Sequence, residues 1–550
     1  MNLTAPYRFV PLNKHVFIPH FVPGYPENIS QDIPFQEGED GKIEVTFKNI
    51  TPILVGGYSA DGEKVPQKIT RNGKAYYIIP GSSWKGMVRS VMEIISFAKF
   101  QIYDDAYFGY RDIGQKQNNS DTQYSKEMQD IHCGWLYKND EKSYYLIPCG
   151  KADDHKLPID KLNSDFYPSY RSIKGKDILC KLEAVNKTKD IRKWEYPKLK
   201  DDVYLVFTGD INNKKHEYGF ESPDSLDDKI GIQIENDIIK QFFSVYHNSP
   251  YNNEKNGHFI EKWLDYGKKL PVFYKGSSNS ITHMGFTKMY RLAYNHHVSD
   301  GVNQVECGRD LVECIFGYTD TDNKSSLKGR VQFGHTLVEK TSAKELLVKG
   351  VLAQPQASYY PFYLKQGKNE MQDYNANGIE IAGYKRYAVH KNSSVETLPQ
   401  GNGNENTMSH LHLIPANQEL SFTIHFHNLL PQELGALLSA ISFHETKNIY
   451  HNIGMAKGYG YGKLELKAMS LSTIDGTPMD EHAFLSRYEA TMDAFTNDKY
   501  RCTWSNMQQI KSLLGIASGI ILSADLRMME LNEYGVGRDR KLLLSGKPKK

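Results

Sequence analysis

The run Ile78-Ile79-Pro80-Gly81-Ser82-Ser83-Trp84-Lys85-Gly86-Met87-Val88-Arg89 concentrates residue types that hold an anion. Tyr76 to Ile79 reads as the end of a strand, Pro80-Gly81 as a turn, and Ser82 or Ser83 as the N-cap of a helix through Val91, Ile94, Ile95 and Phe97. Such a helix start offers unpaired backbone N–H groups and the positive end of the macrodipole, with two hydroxyls, Lys85 and Arg89 alongside. A phosphodiester suits that chemistry. An ordinary capped helix on a core strand is the alternative reading of the same residues.

A second concentration is Gly454-Met455-Ala456-Lys457-Gly458-Tyr459-Gly460-Tyr461-Gly462-Lys463. Glycines let a backbone phosphate approach closely, while Lys457, Lys463, Tyr459 and Tyr461 keep cations and rings nearby. The segment is no nucleotide P-loop, because GxxxxGK[ST] is absent and the glycines precede a strand instead of a helix. A flexible hairpin is the competing reading. His425 and His427 share a strand face, with His410, His412, His444 and His451 near in sequence, so a zinc site or an imidazole base is conceivable. Their spacing matches no known ligand set, and solvent-facing strand histidines are the expectation; no residue is assigned as a metal ligand.

Lys plus Arg (67) against Asp plus Glu (65) leaves a net charge of +2, which excludes a uniformly basic coat, so any nucleic-acid site must be local. The 36 tyrosines and 12% aromatic content make stacking surfaces available, although Tyr is also a common half-buried strand residue. Six cysteines without a CxxC pair fit a reducing cytoplasm. No leader-like start and no apolar run of spanning length are present, so a soluble cytoplasmic protein with no membrane partner is expected.

The elements that must position these residues follow from periodicity. Residues 43 to 57 alternate and then become continuously apolar, as a strand entering a buried sheet does. From about Asp112 to Asn303 polar turns interrupt short strand-like pieces, which predicts an inserted, β-rich and irregular module. Compact pattern returns at Leu311 to Gly317 and at Leu327 to His335, where Arg330, Gln332 and Gly334 are expected on one strand face. Gly383 to Tyr387 adds a basic, aromatic strand start. Leu420 to His427 reads as a strand before a helix opened by Pro431. Glu481 to Phe495 and Trp504 to Gly515 read as helices, and Gly546 to Lys550 as a basic tail.

This order suits an α+β chain with a ferredoxin-like (RRM-like) βαββαβ core over residues 1–110 and 310–470, a module inserted at 111–309, and a helical C-terminal extension at 471–550. The Pro-Gly-Ser-Ser run, Phe316-Gly317 with Ser325 to Phe333, and the glycine loop together resemble the RAMP superfamily of CRISPR-associated proteins. The likeness is to the guide-RNA-binding backbone subunits of type III effector complexes, and it covers residues 43 to 110 and 310 to 467. It implies antiviral RNA-guided defence, with guide (CRISPR) RNA, target RNA and other CRISPR-associated subunits as partners.

It also implies RNA contacts from Ser82, Ser83, Lys85 and Arg89, from Lys328 and Arg330, and from Lys457, Gly458, Tyr459, Gly460, Tyr461 and Gly462. In that family an aspartate in the loop before the Pro-Gly-Ser-Ser turn cuts target RNA, where an acid can help Mg2+ or another divalent ion position the ribose 2′-OH. Here Asp61, then Glu63, are the candidate catalytic acids, although the family's Asp followed by Pro-Val is absent. If the chain does not cut RNA, no cofactor is expected. A stand-alone endoribonuclease that matures guide RNA and a non-catalytic subunit capping one end of a complex are the alternatives. The first needs a histidine at the leading helix, and residues 80 to 110 contain none.

Overall fold

Strict alternation dictates the centre of the structure, a computed structural model. Ile43, Val45 and Phe47 of Glu39–Asn49 and Leu420, Phe422, Ile424 and Phe426 of Glu419–Leu429 are buried, while Glu44, Ser421, His425 and His427 between them are exposed. Residues at i and i+2 share one strand face, so pairing these strands creates one apolar and one polar surface.

The described residues are 4–59, 62–101, 103–105, 108–111, 123–139, 141–158, 187–188, 203–206, 214–221, 231–247, 261, 264–277, 279–305, 308–321, 323–340, 345–352, 355–367, 371–391, 395–399, 408–521 and 523–529. They divide into two compact units, one of Met1–Tyr103, Gly301–Asp373 and Gly378–Lys550, the other of Asp104–Asp300 with Tyr374–Asn377.

In the first unit the strands are β1 (Tyr7–Val10), β2 (Glu39–Asn49), β3 (Gly56–Tyr58), β4 (Lys64–Arg71), β5 (Lys74–Ile79), β6 (Gly317–Asp320), β7 (Ser325–Lys328), β8 (Val331–Phe333), β9 (Thr336–Glu339), β10 (Leu346–Gly350), β11 (Tyr384–Tyr387), β12 (Ser409–Leu413), β13 (Glu419–Leu429), β14 (His451–Asn452) and β15 (Lys463–Thr473). The helices are α1 (Gly81–Ile95), α2 (Leu311–Phe316), α3 (Pro431–Ser442), α4 (Glu481–Tyr500) and α5 (Gln508–Ala517).

The central sheet runs β8-β13-β2-β15-β14 and is antiparallel throughout, with Val45 opposite both Phe422 and Met469. Its apolar face joins α1, α3, α4 and α5 in one core. Trp84 of α1 is fully buried there, stacked on Phe422 at 4.5 Å between ring centres and on Phe47 at 5.8 Å. Pro431 opens α3, and the Glu433 carboxylate accepts the Leu430 N–H at 2.9 Å, satisfying one orphan donor of the first turn. The C-terminal extension closes α1: the Trp504 indole donates to the Ile95 carbonyl at 2.8 Å and Gln509 to that of Ile94.

A second sheet runs β9-β5-β4-β12-β10, with β3 also paired to β4. The β4–β12 pair is parallel, through Leu411 and Lys64, and the others are antiparallel. β1 and β11 form a separate ribbon, as do β6 and β7.

The second unit holds a five-stranded sheet in the order Ile232–Gln233, Tyr144–Lys151, His132–Lys138, Leu270–Gly276, Ile281–Gly285. Helix Asn236–His247, unforeseen in the sequence, contributes Ile239 and Phe242 to its core. No helix among the described residues is long and apolar enough to cross a membrane.

Several local expectations shift. The leading helix stops at Ile95, the compact stretch from Leu311 forms a helix over Leu311–Phe316, and α4 extends to Tyr500. Arg330 precedes β8 and is buried, while Gln332 on the strand is exposed, so the two do not share an open face.

Candidate nucleic-acid interface

The start of α1 is set by close packing, and neither serine is its cap. Pro80 occupies the N-cap position at φ −63° and makes no side-chain cap, because its ring carries no hydrogen-bond acceptor. Gly81 is required next: a Cβ there would lie 2.0 Å from the Phe333 carbonyl oxygen. Its N–H donates to His335 Nδ1 at 2.9 Å, so one of the helix's orphan donors is taken within the protein. Ser82 and Ser83 therefore fall inside the first turn, Ser82 exposed and Ser83 half-buried.

Lys85 lies across to the second motif. Its Nζ is 5.7 Å from the Phe316 ring centre and 3.5 Å from the position of a Cβ on Gly329. Burial, then the charge of Arg89, lowers its pKa. Arg89 pairs with Glu93 at 2.9 Å, one turn on. Lys328, next to Gly329, is exposed at the end of β7.

Arg330 does not join them. Its guanidinium is fully buried, donates to the carbonyls of Cys314 and Asn428, and pairs with Glu433, which also accepts the Tyr25 hydroxyl at 2.6 Å. It locks α2, β13 and the start of α3 together, and no ligand reaches it.

The glycine loop is likewise built first for the protein's own needs. Gly454 and Gly462 sit at φ +86° and +77°, and a Cβ on them would meet the carbonyl oxygens of Leu54 and Ile453 at 2.3 and 1.9 Å. Gly460, at φ +88°, ends a single turn over Lys457–Tyr459. Gly458 packs against Pro6 and Tyr387, where a Cβ would stand 3.2 Å from each. The rings of Tyr459 and Tyr461, read above as stacking surfaces, are buried with Leu54, Leu398, Leu411 and Leu413. Spacing alone could not separate a ring that stacks on a base from one that anchors a loop.

Lys457 is the half-buried cation of this loop. Its Nζ stands 6.0 Å from the Tyr387 ring centre, and Lys385 Nζ lies 5.4, 5.4 and 5.9 Å from the rings of Tyr7, Tyr363 and Tyr387. The Arg386 guanidinium, next in the strand to Lys385, donates to the Ser90 hydroxyl and carbonyl of α1. Burial lowers the pKa of all three cations, for Arg386 to about 10, and Lys457 is lowered further by Arg386 and Lys385. Glu93 acts against that burial and raises the pKa of Arg386. Among the described residues none of the three is ion-paired with a carboxylate, and the chemistry of such a group suits an anion. The sequence signal was the basic, aromatic run Tyr384-Lys385-Arg386-Tyr387, noted as a strand start but not as part of the site.

Of the two candidate catalytic acids, Asp61 lies outside the described residues. Glu63, at the foot of the β3–β4 hairpin, accepts from His410 Nδ1 at 3.2 Å and from His412 Nε2 at 2.9 Å. These two bonds hold its carboxyl below the usual range. His412 Nδ1 faces Glu345 at 2.9 Å, and Glu345 pairs with Lys68 at 2.6 Å. A hard divalent ion takes oxygen ligands and keeps waters. A carboxylate with both oxygens given to imidazoles, next to one already paired with lysine, does not fit such an ion.

The remaining histidines separate. His425 is exposed, His427 pairs with Asp40, His444 with Glu489 at 3.5 Å, and His451 is buried.

No curated protein matches the sequence. Among solved structures, the chain is similar to a chain of a "CRISPR RNA-guided surveillance complex, pre-nicking" at 8% identity, with a TM-score of 0.24, covering 84% of this chain and 89% of that one. The RAMP superfamily matches residues 46–465, which take in α1, the β6–β9 stretch and nearly all of the glycine loop's surroundings. The chain belongs to the RAMP superfamily.

Proposed function

We propose that this chain binds guide RNA as a backbone subunit of a type III-like RNA-guided effector complex. The observation that carries the reading is the cation group Lys385, Arg386 and Lys457, which joins the glycine loop to α1 and, among the described residues, makes no ion pair with a carboxylate. A sugar-phosphate strand supplies the missing negative charge, and the nearby rings of Tyr387 and Tyr363 offer stacking. Lys85, Lys328, Ser82 and Ser83 extend the same set toward the second motif.

The core of this reading is ferredoxin-like. Its support is the path β2, α1, β8, β13, α3, β15 together with the spatial order β8-β13-β2-β15. A target RNA paired to the guide and further CRISPR-associated subunits are the remaining partners, with target cleavage at the β3–β4 hairpin as the enzymatic part.

The test is purification under mild salt followed by sequencing of bound RNA. Discrete RNA of constant length is expected, and its loss from a Lys385→Ala, Lys457→Ala double variant that melts like the wild type. A protein that emerges free of RNA would reject the reading.

A further inference from the structure

A cleft of about 180 Å³ in the first unit has no part in the RNA-binding reading. It is lined by Leu12, Lys14, Asn303, Lys365, Glu380 and Ile381. Its walls are paired backbone: Leu364 bridges Ile381, the Lys365 N–H donates to the Glu380 carbonyl at 2.8 Å, and the Ile381 N–H donates to that of Gly301 at 3.0 Å. The Val305 N–H donates to the Lys14 carbonyl at 2.8 Å, which brings the N-terminal segment to the same place. The cleft adjoins the cation group, since the Ala382 N–H donates to the Tyr363 carbonyl at 2.7 Å and Lys385 to the Tyr363 hydroxyl at 3.0 Å.

Lys365 and Glu380 form an ion pair with side chains 51% and 43% exposed, and a pair so open contributes little to stability. The Asn303 amide and the Lys14 ammonium have no partner among the described residues. Half-buried Leu12 and buried Ile381 supply apolar surface for a flat ring. An enclosed cavity of about 150 Å³ holds a benzene ring, so a cleft of about 180 Å³ that opens to solvent admits a purine.

An ammonium beside a carboxylate selects among the bases. The Watson–Crick edge of guanine carries in order an acceptor, O6, and two donors, N1–H and the N2 amine. Lys365 suits the acceptor, and the Glu380 carboxylate, with two lone pairs on each oxygen, accepts both donors while keeping its lysine. Adenine turns a donor toward the ammonium and an acceptor toward the carboxylate. Cytosine and uracil each set a lone pair against the carboxylate, and such repulsion discriminates as strongly as attraction.

We propose that this cleft is a guanine-binding site, in which Lys365 and Glu380 read the base edge and Lys14 meets the phosphate. The inference goes beyond the RNA-binding reading and does not require it, because a guanine within a single strand and free GMP present the same edge.

The test uses the full chain freed of nucleic acid in high salt and titrated with GMP, AMP, CMP, UMP and guanosine, and with an oligouridine carrying one guanosine against oligouridine alone. Guanine is expected to bind at least about 10-fold tighter than the other bases. Glu380→Gln, melting like the wild type, should remove that preference, whereas Lys14→Ala should weaken GMP and AMP alike and leave guanosine unchanged. GMP that competes with the guanosine-bearing strand supports a site open to both sources, and preference seen in the strand alone supports one filled by RNA. Equal affinity for all bases in both formats, or a folded Glu380→Gln that still prefers guanine, overturns the inference. RNA binding without guanine preference leaves the binding reading standing, and GMP preference in a chain that holds no RNA rejects that reading while leaving this site.

Discussion

The Arg386 guanidinium donates to the Ser90 hydroxyl at 3.1 Å and so fastens the β1–β11 ribbon to α1. Arg386 is thereby half structural, whereas Lys385 and Lys457 beside it are held by rings. Each of these lysines is expected to contribute one phosphate contact. Lys385→Ala and Lys457→Ala should each lower the slope of log affinity against log salt by about 0.7 for single-stranded RNA. Anisotropy titrations at several salt concentrations check this, and an unchanged slope in both variants would count against it.

Arg330 and Lys328 should part company. Arg330→Ala strands the Glu433 carboxylate in the interior and is expected to cost about 3–5 kcal/mol of stability. Lys328→Ala, at an exposed strand end, should leave stability within about 0.5 kcal/mol and weaken RNA binding. Denaturant midpoints with anisotropy on the same preparations distinguish them.

That contrast shows what the sequence made legible. Strict alternation in β2 and β13, and Pro431 before an apolar helix face, were enough to place the sheet and one of its helices. Arg330 stands in the same kind of basic strand context as Lys328. What buries it is Glu433, 103 residues away, which no local pattern reveals. Tyr459 and Tyr461 went astray for the same reason, since their neighbours Leu411 and Leu413 come from another strand. His410 meets Glu63 across 347 residues, so two separate readings, an acid loop and a set of strand histidines, become one cluster only in the fold.

Acid should destabilise the first unit through His451. Burial pushes its pKa down to about 3, while the bond from Nε2 to the Ile441 carbonyl opposes the shift. The unfolded chain therefore takes up a proton near pH 6.5 that the folded chain refuses. The contribution is complete above pH 6.5 and is lost as pH falls toward 3, by up to about 1.4 kcal/mol per pH unit. Between pH 7 and pH 5 this amounts to about 2 kcal/mol. His451→Gln keeps a donor for Ile441 and should flatten that part of the curve. Parallel curves for variant and wild type would reject the assignment.

The glycines of the loop should prove structural one by one. Gly462→Ala forces a Cβ against the Ile453 carbonyl at φ +77° and is expected to destabilise by about 1–3 kcal/mol. Gly515→Ala, inside α5 with open space around it, should be neutral or stabilising by about 0.5–1 kcal/mol. Thermal melts of the two variants give the comparison.

The central claim is that Lys385, Arg386 and Lys457 hold an RNA backbone, and the most direct measurement is crosslinking of the natively purified chain to its bound RNA with peptide mapping. The account predicts crosslinked peptides from β11 and the glycine loop, carrying RNA of one discrete length. Crosslinks confined to the second unit, with 384–387 and 454–463 unmodified, would contradict it.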